Sequence, residues 1–135
     1  AIVNYQLSHE WKMGSDLSPH IHFQQTNNAM PNFLIRYRWQ RNGQEKTTAW
    51  TDLKVNTAVF TYTSGTLNQI ANGANITPPT GYSISDIIQF RIMRDNTNAS
   101  GAFTGADTYT GYAEITGVDI HYEKDTLGSR TEYTK

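Results

Sequence analysis

Residues 32–41 constrain the fold of this chain more than any other segment, because apolar and polar side chains alternate along it. An extended strand sends successive side chains to opposite faces. The Asn-Gly pair at 42–43 that follows is the strongest short hairpin signal and predicts a partner strand at 44–51. One predicted face carries Phe33, Ile35, Tyr37 and Trp39, and the other carries Leu34, Arg36, Arg38 and Gln40.

The same two-residue period recurs along the chain and predicts an all-β fold. Strands are expected at 2–8, 20–25, 57–63, 86–94 and 109–123, with a bulge at Gly117, where the alternation changes phase. The connections at 65–84 and 95–108 are long and polar, and the first is expected to hold a short turn of helix at 66–71. In the predicted strands the core faces carry Ile88, Phe90, Ile92, Val118, Ile120 and Tyr122.

About eight strands at regular spacing favour an antiparallel β-sandwich of the jelly-roll type. An up-and-down barrel fits less well, because the long connections suit crossovers between two sheets. The expected domain spans 1–124, and residues 125–135 form a polar C-terminal tail. The polar loop at 95–108 is expected to be mobile or to make contacts, and the loops at 65–84 and 96–108 are the expected contact regions.

Composition excludes several classes of protein. The 135 residues suit one domain, and a net charge of −1 argues against nucleic-acid binding. The absence of cysteine rules out disulfides and thiolate metal sites. No apolar run of about 18 residues is present, so membrane insertion is not expected. No nucleophile elbow or phosphate-binding loop is found, and we expect neither an enzyme nor a bound cofactor.

The His20-x-His22 pair places two imidazoles on one face of a predicted strand. Preceded by Gly14, it matches the opening of the cupin metal motif, and His121 could supply a third ligand. The Glu that this motif expects three or four residues later is replaced by Gln25 and Thr26. Two further interpretations stay open: a metal shared at a three-fold axis, and a polar structural face close to His121. We expect the last, at or beside a subunit contact.

Charged side chains mark the faces opposite the predicted core. Leu34 and Met93 share these faces, a mixture that fits an oligomer interface and a solvated surface equally well. Glu123 is another charged residue on these faces. The residues expected to contact a partner subunit or a ligand are His20, His22, Arg36, Arg38, Arg91, Asp119 and His121.

Aromatic residues near strand ends give a second ligand hypothesis. Trp50, Tyr82, Tyr109 and Tyr112 lie where sugar-binding proteins often place stacking rings, and the first three are the candidate glycan contacts. Packing at the edge of the core is the favoured alternative for the same residues.

Two segments carry a resemblance to a known family. The stretch from Ser8 to Phe23 (SHEWKMGSDLSPHIHF) and the end from Asp119 to Lys135 (DIHYEKDTLGSRTEYTK) are similar to the terminal motifs of a family of small virion-associated proteins of tailed bacteriophages. Residues 34–43 resemble the strand and turn between those motifs. One position departs, since Phe23 stands where the family motif usually has Trp.

The resemblance implies a non-enzymatic structural protein of the virion. We expect a homotrimer in a tail knob, fibre or capsid decoration that contacts other virion proteins or a host-surface glycan. The alternatives are a carbohydrate-binding module and a cupin-like metalloprotein that uses His20, His22 and His121.

Overall fold

The computed structural model describes residues 2–27, 29, 31–45, 49–55, 65 and 69–125, which contain strands and no helix. All strand pairs are antiparallel and form two sheets, with the orders β1-β6-β3-β4 and β5-β2-β7. This confirms the all-β prediction. The strands are β1 (Ile2–Gln6), β2 (Leu17–Gln24), β3 (Phe33–Gln40), β4 (Thr51–Lys54), β5 (Gln69–Asn72), β6 (Ile87–Arg94) and β7 (Glu114–Tyr122).

The inner faces of the two sheets share one hydrophobic core. Buried and half-buried side chains alternate along all eight residues of β2, the signature of a strand with one covered face. Phe23 of β2 meets Phe33 of β3 edge-on, with ring centroids 4.8 Å apart. This contact joins the sheets. The core residues predicted in β3 and β6 are buried, apart from Tyr37, which is partly buried, as are Val118, Ile120 and Tyr122 in β7.

The bulge predicted at Gly117 is present. On β7, Gly117 pairs with His22 and Ile115 pairs with Phe23, so Thr116 has no counterpart on β2. The extra residue shifts the alternation, so that Val118 and Ile120 after it pack against the core, whereas Ile115 before it is 38% exposed.

The hairpin prediction was right about the partner and wrong about its position. The turn forms where expected, with Gly43 at φ 71° and the Gln44 N–H bonded to the Arg41 carbonyl at 3.2 Å. However, Asp86 accepts a hydrogen bond from the Asn42 N–H at 2.8 Å and ties the turn to the loop before β6. The partner strand begins at Thr51 and not at residue 44, and Thr51 pairs with Tyr37 of β3.

Three other predictions need correction. Residues 69–72 are a strand paired with β2, where a turn of helix was expected. The last strand begins at Glu114 and not at 109. Leu34 was expected on an outward face with the arginines, yet it is fully buried, so that face is covered at this end of the sheet. The predicted strand at 57–63 lies outside the described residues.

Hydrogen bonds within the loop after β6 connect its residues to one another, which argues against the prediction that the loop is mobile. Asp95 accepts from the N–H groups of Ala99 and Ser100, at 2.8 and 3.1 Å. The Asn98 side chain accepts from the Phe103 N–H and donates to its carbonyl, both at 2.9 Å. Such local bonds give the loop a defined shape without a core of its own.

Arg94 and Asp107 close the base of this loop. The guanidinium Nε and Nη2 donate to the two carboxylate oxygens at 2.6 and 2.8 Å. Arg94 also donates to the carbonyls of Tyr109 and Gly111, and Asp107 accepts from the Asn32 N–H at 3.3 Å. The ion pair and its neighbouring bonds thus tie the end of β6 to the later part of the loop and to Asn32, just before β3.

Tyr109 anchors the segment that leads into β7. Its ring is buried, and its hydroxyl accepts from the Thr26 N–H at 2.8 Å and donates to the Tyr112 carbonyl at 2.7 Å. We expect Tyr109→Phe to lower the free energy of unfolding by about 1–3 kcal/mol, because a half-buried N–H loses its partner. Urea unfolding would measure this. Tyr112→Phe, on a ring that is 91% exposed, is the control, and an equal loss in both variants would contradict the role assigned to the hydroxyl.

Candidate functional site

The two sequence motifs meet on neighbouring strands. β2 and β7 pair in a register that sets His20 opposite Asp119, His22 opposite Gly117 and Ser18 opposite His121. All these residues belong to the outward face of the sheet, because Ile21 and Phe23 between them are buried. Residues about 100 positions apart in sequence therefore form one surface.

His20, His22, Asp119 and His121 form a compact group on this surface, here called the histidine cluster. The Asp119 carboxylate lies in its centre. Its Oδ1 is 3.4 Å from the His22 Nε2 and 3.7 Å from the His20 Nδ1, while Oδ2 is 3.4 Å from the His121 Nε2. The rings of His20 and His121 stack with centroids 4.3 Å apart and planes at 42°. The prediction that the histidine pair lies outward and beside His121 is confirmed.

Exposure rises steadily across the histidine cluster. The side chains of His20, His22, Asp119 and His121 are 16%, 24%, 47% and 65% exposed. Burial lowers the pKa of His20 below its ordinary value, and the charges that His121 and His22 can carry lower that pKa further, against the opposing effect of Asp119. Burial thus favours a neutral His20, the form with a free lone pair.

A cleft of about 630 Å³ opens next to the histidine cluster, and His121 lines it together with residues of the first motif, among them Lys12, Ser15 and Asp16. Lys12 donates to the Glu123 carboxylate at 2.7 Å across the cleft wall. Under this wall Trp11 is fully buried, and its indole N–H donates to the Ser15 carbonyl at 3.2 Å. The motif therefore has a packed anchor beneath a polar, open surface.

The predicted arginines lie on the other sheet. Arg36 contacts Asp52 with its Nε at 2.7 Å from the carboxylate. Arg38 donates to Gln89 at 2.6 Å and lies over the Trp50 ring, 4.3 Å from its centroid. Arg91 is exposed opposite Arg36. The seven predicted contact residues therefore divide between the outer faces of two sheets and do not form one site.

The hypothesis that aromatic side chains stack on a glycan is wrong for Tyr109. Tyr109 is buried under Arg94, whose guanidinium carbon is 4.8 Å from the ring centroid, and offers no face to a sugar. Tyr82 is half-buried against Trp39, with centroids 4.9 Å apart, and one face of Trp50 is taken by Arg38. Tyr112 remains the most exposed of these rings. The favoured packing interpretation holds for Tyr109.

Sequence reasoning did not single out Arg94 or Asp107, although their ion pair organises the longest described loop. Arg94 ends a strand at a position that shares the parity of the predicted core face, and Asp107 is one of several polar loop residues. Nothing in their spacing signals the pair, because the loop between them has no period. Only the folded path of the loop brings them together.

Comparison with family models, curated proteins and solved structures finds no match to this chain. Among the described residues, no helix is long and apolar enough to cross a membrane.

Proposed function

We propose that this chain is a non-enzymatic structural protein of a tailed-bacteriophage virion, which assembles as a homotrimer in a tail knob, fibre or capsid decoration. The observation that carries the proposal is the pairing of β2 with β7. The two segments that resemble the phage family, far apart in sequence, supply adjacent strands and the cleft wall beside them. Motif residues gathered on one surface suit a contact made with other virion proteins.

The outer face of the β5-β2-β7 sheet is the proposed subunit contact. It combines the histidine cluster with the apolar side chain of Ile70, which pairs with His22 in register and is 39% exposed. Polar groups that can pair across an interface, with an apolar group among them, are usual at subunit contacts.

The proposal includes a jelly-roll-type architecture. Its support is the strand order: β1 lies beside β6 and β2 beside β7, so that early strands pair with late ones, as they do when a long hairpin wraps into two sheets. Exposed outer faces and loops would then provide the contacts with virion proteins or the host surface.

The assembly part is tested by light scattering on the purified protein at micromolar concentration. We expect a mass close to three times the 15.2 kDa of the chain. Ile70→Lys should shift the protein toward monomer, because a charge without a partner would be placed in the contact. Ile2→Lys is the matched control, since Ile2 is 62% exposed on the outer face of the other sheet.

Three results would contradict the proposal or one of its parts. If the wild-type protein is monomeric at these concentrations, the proposed subunit contact is wrong. If mass spectrometry does not find the protein in purified virions of the phage that encodes it, the proposed virion role is wrong. Equal dissociation in Ile70→Lys and Ile2→Lys would place the contact somewhere other than this sheet.

A further inference from the structure

We infer that the histidine cluster is a binding site for a divalent transition metal ion, with His20, His121 and one carboxylate oxygen of Asp119 as protein ligands. This inference does not depend on the virion role or on trimer formation, since all three ligands come from one chain. One ligand atom from each of the three residues can be chosen so that all lie within 4.8 Å of one another.

The spacing of the donor atoms supports a metal better than it supports hydrogen bonds alone. Zinc binds imidazole nitrogen at about 2.0–2.1 Å and carboxylate oxygen at about 2.0–2.2 Å, so tetrahedral ligand atoms lie about 3.3–3.5 Å apart. His121 Nε2 is 3.4 Å from Asp119 Oδ2, and His20 Nδ1 is 3.7 Å from the other carboxylate oxygen, Oδ1. The carboxylate therefore lies between the two imidazoles and must turn slightly to present one oxygen to both. Charge-assisted hydrogen bonds are shorter, at about 2.7–2.9 Å.

The backbone supports the same geometry. His20 and Asp119 are register partners, and His121 lies two residues further along the same strand face. Two neighbouring strands therefore fix the three Cα positions, and binding needs only side-chain adjustment. A site on paired strands holds its ligands more exactly than a site on loops.

His22 has a different role in this arrangement. Its Nε2 lies 3.4 Å from Asp119 Oδ1, and His22 is the next residue after His20 on the same face of β2. Its ring lies beside Gly117, where a side chain would contact it. We assign His22 as a positioning residue that orients the carboxylate. Such partners commonly change metal affinity by about 10–100-fold.

In the single chain the fourth position of a tetrahedral ion would face solvent, whereas in the proposed trimer it would face the subunit contact. His121 is 65% exposed and lines the adjacent cleft, so water or a donor atom of a bound molecule can reach the ion. Two imidazoles and a carboxylate suit Zn²⁺, Co²⁺ and Ni²⁺ rather than Ca²⁺ or Mg²⁺, which prefer all-oxygen sites.

The test is titration of chelator-treated protein with Zn²⁺ by calorimetry, with Co²⁺ absorption spectra as a report on the ligands. We expect one ion per chain. His121→Ala and Asp119→Asn should each weaken binding by about 100-fold or more, and His22→Ala by about 10–100-fold. His121 is exposed, so its loss should leave the fold intact, which circular dichroism would check.

The chain offers a matched control in its fourth histidine. His9 bonds to Ser85 through Nε2 at 2.7 Å, in the loop that follows β1. His9→Gln should therefore bind Zn²⁺ like the wild type. The inference is overturned if the wild-type protein binds no stoichiometric ion, if His121→Ala retains full affinity, or if His9→Gln loses affinity as strongly as His121→Ala. None of these results bears on the subunit mass that tests the virion proposal.

Discussion

Replacing Asp107 with alanine is expected to lower the free energy of unfolding by about 3–5 kcal/mol, the usual loss when one partner of a buried ion pair is removed. The Asp107 side chain is only 2% exposed and contacts Arg94, whose side chain is 24% exposed. Without the carboxylate, the Arg94 charge and the Asn32 N–H both lose an acceptor. Chemical denaturation at neutral pH would measure the loss.

The chain contains a second Arg–Asp pair that serves as a control. Asp52 contacts Arg36 at 2.7 Å, but these side chains are 34% and 29% exposed. Solvent screens that pair, so Asp52→Ala should cost no more than about 1 kcal/mol. Similar losses in both variants would contradict the special role of Asp107.

The Arg94–Asp107 pair also predicts a pH dependence. Burial opposes ionisation of Asp107, but hydrogen bonds from Arg94 and the Asn32 N–H, together with the Arg94 charge, outweigh it and lower the pKa of the carboxyl. A lowered pKa means that the unfolded chain binds the proton more readily. The contribution of Asp107 is therefore complete above the ordinary Asp value of about 3.9 and is lost as the pH falls through the lower folded value. The stability difference between wild type and Asp107→Ala should shrink accordingly.

Replacing Phe23 with alanine is expected to cost about 3–5 kcal/mol, the range for removing a buried aromatic side chain from a core. Phe23 is fully buried and meets Phe33 across the two sheets. The loss combines lost apolar burial with the cavity that remains, since surrounding side chains relax only partly. The midpoint of thermal or urea unfolding would report it.

An exposed aromatic provides the comparison for Phe23. Tyr112 is 91% exposed, so Tyr112→Ala should change stability by no more than about 0.5 kcal/mol. If Phe23→Ala unfolded with the wild-type midpoint, the inter-sheet contact would not be a main source of stability. A fall in Zn²⁺ affinity in Phe23→Ala would be a secondary effect, because β2 carries His20 on its opposite face.

Local pattern was enough to predict the inner faces of the long strands. In β6 burial follows the two-residue period almost throughout, and in β3 the predicted inner residues are buried or partly buried although Leu34 on the other face is buried as well. The outward histidine pair followed from the same period, because Ile21 and Phe23 had to face the core. The bulge at Gly117 was predictable too, since the alternation visibly changes phase there.

Prediction failed where long-range contacts override local preference. The turn at 42–43 forms as its composition predicts, but the strand that pairs with β3 begins only at Thr51. Residues 69–72 became a strand because β2 offered an unpaired edge. For Tyr109 the glycan alternative was wrong and the favoured packing interpretation was right, since Arg94 and Thr26 hold the side chain in the interior.

The sequence by itself determined that the chain is built of strands, which faces of the long strands are apolar, and that His20 and His22 lie together on an outward face. These properties depend on side-chain alternation, which is local. Only the tertiary structure decided that Asp119 lies among three imidazoles, that the arginines occupy a different sheet, and that Arg94 pairs with Asp107. Strand register and loop path set those distances, and both depend on contacts between residues far apart in the chain.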